Sequence, residues 1–144
     1  MPDLLAMHGI NLNMFGKRDP GHYGVATLDE INAAMEVLAK ELGRRVEFFQ
    51  SNCEGEFVER LHRAHGDGTR GVLMNAGAWT HYSYGIADAA GMLRIPVVEV
   101  HMSNIHAREE FRRHSVLSEV VRGSVAGFGV DSYLLGLRAL AGIS

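Results

Sequence analysis

Glu99, His101 and Ser103 occupy alternate positions at the end of an apolar run, Ile95-Pro96-Val97-Val98, that reads as a buried strand. Alternate residues of a strand share a face. A carboxylate, an imidazole and a hydroxyl therefore project together from its carboxyl end. Asn104 follows as a helix N-cap, and Arg108, Arg112, Arg113 and His114 come after it. An acid–imidazole pair beside an arginine cluster suits general acid–base work on an anionic substrate. Three other stretches carry groups of the same kind. Asn11 lies in the loop after the first apolar run. Arg18 and Tyr23 lie in segment 17–24, whose glycines and proline mark it as irregular and mobile, a candidate lid. Asn75 and His81 flank small residues that let backbone N–H groups approach a ligand.

The elements that must hold these groups follow from periodicity. Residues 4–7, 46–50, 71–74, 95–98 and 124–129 read as strands, the first buried on both faces. Thr27-Leu28-Asp29-Glu30 is a capping-box signature. Leu28, Ile31, Met35, Leu38 and Leu42 then recur at helical spacing, with Gly43 as the C′ residue. A second helix turns Phe57, Val58 and Leu61 inward. A third spans 82–93, with Ile86, Ala90 and Leu93 inward and Asp88 off that stripe. A last one carries Tyr133, Leu134, Leu137 and Leu140 on one side. Strand followed by helix, five times over, implies a parallel sheet. The expected fold is α/β, a flavodoxin-like three-layer sandwich with a five-stranded parallel sheet and helices on both faces. Ligands bind such sheets outside the strands' carboxyl ends. Asn11, Asn75, His81, Glu99, His101 and Ser103 all fall there.

The 144 residues suit a single domain, residues 1–144. An apolar fraction of 47%, a charged fraction of 22% and a net charge of −3 are ordinary for a soluble protein and point to neither nucleic acid nor membrane. No transmembrane-length apolar run and no signal-peptide pattern occur, and Cys53 is the lone cysteine. A reducing, cytoplasmic location is expected. Cys53 reads as a small buried or half-buried side chain. His62 and His65, with no third ligand nearby, read as surface histidines.

The loop GKRDPGHYG, the strand end NAGAWTHYS, the helix residue Asp88 and the run VEVHMSN with HAREEFRRHS together resemble type II 3-dehydroquinate dehydratase over essentially the whole chain. The resemblance implies a flavodoxin-like fold, a homododecamer of trimers, and no cofactor or metal. It implies a hydro-lyase that converts 3-dehydroquinate to 3-dehydroshikimate by anti elimination through an enolate, in the shikimate pathway of aromatic amino acid biosynthesis or in quinate breakdown. Tyr23 corresponds to the base that removes the proton beside the ketone. Free tyrosine titrates near pH 10, so this role needs positive charge nearby. Arg18 and Arg108 correspond to the arginines that supply it, Arg18 arriving with the substrate as the lid moves. Asn11 corresponds to the residue that holds a water against the enolate oxygen. His101 corresponds to the acid for the departing hydroxyl, and Glu99 to the carboxylate that orients it. Asn75, His81, Ser103, Arg112 and the backbone N–H of Met102 correspond to substrate contacts. Asp88 corresponds to a residue reaching a neighbouring subunit's site. The first loop departs from the family's Asn-Gly-Pro-Asn: here it is His8-Gly9-Ile10-Asn11. Ala87 stands where the family often carries arginine.

Other readings are a flavodoxin-like module for a flavin or nucleotide, which wants a Gly/Ser/Thr-rich phosphate loop that the first loop lacks; a catalytically weakened homologue, on the altered first loop; and a zinc enzyme on His101, His106 and His114. The spacings of that last set put no two of them on one helical face.

Overall fold

The structure, a computed structural model, describes residues 3–144. Its strands are β1 (Leu4–His8), β2 (Val46–Gln50), β3 (Gly71–Asn75), β4 (Val97–His101) and β5 (Gly123–Ala126). They form one parallel sheet in the order β2-β1-β3-β4-β5. The helices are α1 (Pro20–Tyr23), α2 (Leu28–Glu41), α3 (Glu54–Ala64), α4 (Tyr84–Gly91) and α5 (Val130–Ile143).

Every residue of β1, β3 and β4 is buried, as strands covered on both faces require. Side-chain alternation sorts them between two cores. Leu4, Ala6, Leu73, Val98 and Val100 pack with Ile31 and Met35 of α2 and with Tyr133 and Leu137 of α5. Leu5, Met7, Val72, Met74 and Val97 pack with Phe57 and Leu61 of α3 and with Ile86 of α4. This is the expected three-layer α/β arrangement.

The capping box forms as the sequence predicts. Glu30 N–H donates to Thr27 Oγ1 at 3.2 Å, and Thr27 N–H donates to Glu30 Oε1 at 3.3 Å. Such a cap contributes about 1 kcal/mol. Gly43 ends the helix at φ 71°, a left-handed conformation that glycine adopts without a Cβ penalty.

Several local expectations are corrected. Segment 17–24 is not wholly irregular: Pro20 starts the short α1, and Asp19 Oδ1 accepts from Gly21 N–H at 2.9 Å. The third predicted helix begins at Tyr84 rather than Tyr82, because residues Gly77–His81 form a 3-10 turn and Ser83 takes the N-cap. No α-helix joins β4 to β5. Two 3-10 turns, Ile105–Ala107 and Glu110–Arg113, do so, with Arg108 extended between them at φ −110°, ψ −155°. β5 ends at Ala126, short of the predicted end, where Gly127 turns to φ 98°. Cys53 is exposed, not buried, because it precedes α3 as its N-cap residue.

Two glycines set close approaches that matter for the site. A Cβ on Gly9 would run into the backbone of Ala76, and Gly9 N–H donates to the Asn75 carbonyl at 2.7 Å. The loops after β1 and β3 are thereby held together. A Cβ on Gly136 would lie 2.6 Å from Val100 Cγ2 and 2.9 Å from Leu73 Cδ1. Its absence lets α5 sit close on the sheet.

Candidate active site

The carboxyl ends of β1, β3 and β4 open onto a cavity of about 130 Å3. Asn11, Arg18, Tyr23, Asn75, His81, His101, Met102, Ser103, Arg108 and Arg112, all candidates from sequence, line it. Glu99 lies behind His101 rather than on the cavity wall. Asp88 is exposed on α4 and does not line this cavity.

Tyr23 is buried, its ring packed beside Phe15 at a centroid distance of 5.9 Å. Its phenol oxygen accepts from Arg108 Nη1 at 2.6 Å and from Arg18 Nη2 at 3.0 Å. The Arg18 guanidinium also lies over the ring, 3.9 Å from its centroid. Arg18 is thus docked on Tyr23 in this structure, where the sequence reading has it arriving with the substrate. Arg108 is steadied by Ser103 Oγ, which accepts from Nη1 at 3.1 Å. Glu109 lies 3.7 Å from Arg108 Nε and accepts from Arg112 Nε at 3.1 Å. Its own backbone N–H, then Arg112, hold the Glu109 carboxyl below its ordinary range.

Glu99 and His101 share a face of β4, as the alternation predicts. His101 Nε2 and Glu99 Oε2 are 2.6 Å apart, and both residues are buried. The second carboxylate oxygen accepts from Ser115 Oγ at 3.0 Å. With Glu99 ionised, Nε2 is the donor in this pair and Nδ1 is the atom left to react. His81 packs nearly parallel to His101, centroids 6.3 Å apart. Its Nδ1–H donates to the His114 carbonyl at 2.9 Å, which leaves Nε2 as an acceptor when the ring is neutral. Burial first, then the charges of His101 and Arg112, push its pKa down. Asn11 takes φ 69°, and its N–H donates to Asn52 Oδ1 at 2.8 Å. Asparagine tolerates that left-handed backbone better than most residues.

This arrangement pairs a phenol oxygen between two guanidinium groups with a carboxylate-held imidazole in one small cavity. A proton can be taken at the first and given at the second. Among the described residues, no three His, Cys, Asp or Glu side chains group to hold a metal. The family model described as dehydroquinase class II matches residues 2–141.

The chain belongs to the class II dehydroquinases.

It is 64% identical to a 3-dehydroquinate dehydratase of Leptothrix cholodnii, over 95% of this chain and 92% of that protein. It superposes on the crystal structure of a type II dehydroquinase from Propionibacterium acnes with a TM-score of 0.93 at 43% identity, covering 99% of this chain and 98% of that one. For the type II dehydroquinase of Butyrivibrio crossotus the TM-score is 0.94 at 36% identity, over 96% of this chain and 97% of that one.

Sequence reasoning missed four residues of this dehydroquinase that brace the cavity. Ser115 secures Glu99. Asn32, His8 and Tyr133 lie behind Asn75, whose Nδ2 donates to Tyr133 Oη at 2.8 Å. Tyr133 sits on the apolar stripe of α5, and its position alone signals only core packing. His8 was a usable signal, an imidazole at the carboxyl end of a strand otherwise apolar. It is fully buried, with Nε2 2.8 Å from Asn32 Oδ1. Desolvation lowers its pKa from 6.5 to about 4, against the opposing pull of the Asn32 bond.

Because the folded value lies below the unfolded one, the unfolded chain takes up this proton first. The stability held above pH 6.5 is lost as pH falls toward about 4, by roughly 3 kcal/mol from this group. Urea unfolding between pH 7 and 4.5 is expected to show this loss, and His8→Asn to flatten it. Equal slopes in the two proteins would contradict the assignment.

Proposed function

We propose that this chain is a type II 3-dehydroquinate dehydratase, a hydro-lyase that removes water from 3-dehydroquinate to give 3-dehydroshikimate through an enolate. Family membership and 64% identity to a protein of that name support the reaction. The observation that carries the residue roles is the Tyr23 oxygen, which accepts from both Arg18 and Arg108 in the same cavity as the Glu99–His101 pair.

Two guanidinium donors on one oxygen stabilise negative charge there. Tyr23 as phenolate takes the proton from the carbon beside the ketone. The C–H electron pair moves into the enolate, and Asn11 holds a water against the developing oxyanion. Collapse of the enolate expels the hydroxyl, which leaves as water with the proton of His101. Anti geometry requires base and acid to act on opposite faces of the ring. Glu99 and Ser115 keep the imidazole aimed. The backbone N–H groups of Met102 and Ser103 take the substrate carboxylate. Asn75, His81 and Arg112 take its oxygens. The proton gained by Tyr23 and that lost by His101 are exchanged with solvent before the next turnover.

The same reading makes residues 1–144 one catalytic domain and places it in the cytoplasm, which the lone Cys53 supports. The homologous route is the shikimate pathway, and quinate breakdown uses the same step. We further infer a homododecamer of trimers. Asp88 supports this: it is exposed and remote from its own chain's cavity, so it fits a role in a neighbour's site.

The product is a conjugated enone, so turnover is read by ultraviolet absorbance. Tyr23→Phe is expected to lower kcat by about 10^2- to 10^4-fold, the scale of a general base, with the unfolding transition and substrate binding retained. Residual turnover near wild type would remove Tyr23 as the base. Sedimentation is expected to show a dodecamer, and Asp88→Ala to weaken substrate binding. A fully active monomer would contradict the assembly reading.

A further inference from the structure

His8 and Asn75 are register partners at the ends of β1 and β3. Both project toward α2 and α5, on the side of the sheet away from Glu99 and His101. There Tyr133 of α5 meets them. Asn75 Nδ2 donates to Tyr133 Oη at 2.8 Å, Tyr133 Oη is 3.5 Å from His8 Nδ1, and His8 Nε2 is 2.8 Å from Asn32 Oδ1. His8, Asn75 and Tyr133 are all buried.

The direction of every bond in this run follows from one backbone group. Gly77 N–H can only donate, and it donates to Asn75 Oδ1 at 3.1 Å. The Asn75 amide nitrogen must then face Tyr133. The Tyr133 oxygen therefore accepts, and its own proton is free to go to His8 Nδ1. That nitrogen must be the unprotonated one, so Nε2 carries hydrogen and donates to Asn32 Oδ1. Donors and acceptors match at each step with a neutral imidazole and a protonated phenol. Burial favours both forms, lowering the His8 pKa and raising that of Tyr133 well above its ordinary value. One Asn75 N–H is consumed by Tyr133, and the other remains for the cavity that Asn75 lines.

We propose that Tyr133 and His8 are positioning residues for the dehydratase reaction, fixing the orientation of the Asn75 amide and hence the donor it presents to a substrate oxygen. The inference rests on the reading of Asn75 as a substrate contact. A flipped amide would set its nitrogen against Gly77 N–H, donor to donor, and would offer the substrate an acceptor in place of a donor. Tyr133 opposes that flip from one end of the amide and Gly77 from the other. Neither Tyr133 nor His8 lines the cavity, so both act through Asn75.

A double-mutant cycle separates this role from simple packing, because residues acting through one group are non-additive with it. Tyr133→Phe keeps the ring and removes the hydroxyl. It is expected to raise KM for 3-dehydroquinate about tenfold with kcat within about twofold of wild type. In an Asn75→Ala background it is expected to cause no further loss of kcat/KM. A second variant, Asn32→Leu, sits at the half-buried end of the run and serves if Tyr133→Phe does not fold. It is expected to raise KM by a smaller factor, again only while Asn75 is present. A loss that adds fully to that of Asn75→Ala would overturn the inference, as would an unchanged KM in both variants while Asn75→Ala is impaired. If Asn75→Ala itself leaves kcat/KM unchanged, the reading of Asn75 as a substrate contact fails instead. If the wild-type protein shows no turnover, the dehydratase reading fails.

Discussion

Arg18 and Arg108 approach a single phenol oxygen from segments far apart in the chain, at 3.0 and 2.6 Å. Two like charges so close repel, and the Tyr23 oxygen that lies between them accepts from both. The surroundings keep the cations in place. Ser103 accepts from Arg108, the Glu109 carboxylate sits beside its Nε, and Arg18 lies on the Tyr23 ring face. α1, capped by Asp19 and opened by Pro20, delivers Tyr23 to them. The consequence is a phenol oxygen whose two fixed donors can stabilise negative charge, the form in which the proposed base takes its proton.

The sheet supplies the second constraint. Strand residues alternate between its faces, so polar groups at the carboxyl ends divide into two sets. Glu99 and His101 face the side of α3 and α4 and are completed by Ser115. His8 and Asn75 face the side of α2 and α5 and are completed by Tyr133 and Asn32. A buried polar group without a partner costs about 1–3 kcal/mol, and these groups are buried. Each set is therefore satisfied behind the cavity wall, which fixes what the front-facing atoms can do. The glycine positions serve the same end. Gly9 lets the β1 and β3 loops touch, and Gly136 lets α5 bring Tyr133 within reach of Asn75.

Much of this was legible in the sequence, for local reasons. The capping box at Thr27 and Glu30, the apolar spacing from Leu28 to Leu42 and the apolar strand runs are short-range signals, and they locate α2 and the sheet well. The alternation of Glu99 and His101 was enough to pair them. What was not legible depends on contacts between distant segments. Ser115 meets Glu99, and Tyr133 meets Asn75, only because the sheet and α5 bring them together. Between Asn104 and Ser115 the β4–β5 connection has only Ile105 and Phe111 as large apolar residues, so its periodicity does not distinguish an α-helix from the two 3-10 turns that form there. Arg18 was expected to be loose because its loop is rich in glycine. Its docking is decided by Tyr23, to which no spacing rule connects it. Cys53 was expected inward on the average behaviour of cysteine, and its place ahead of α3 leaves it exposed.

The most direct test of the account is a crystal structure of Tyr23→Phe with 3-dehydroquinate bound. The account predicts the carbon beside the ketone about 3.5 Å from the site of the missing hydroxyl, a near-attack distance. It also predicts the leaving hydroxyl about 3 Å from His101 and the carboxylate on the backbone N–H groups of Met102 and Ser103. A substrate whose carboxylate instead lies on Arg18 and Arg108, with its leaving hydroxyl turned away from His101, would contradict it.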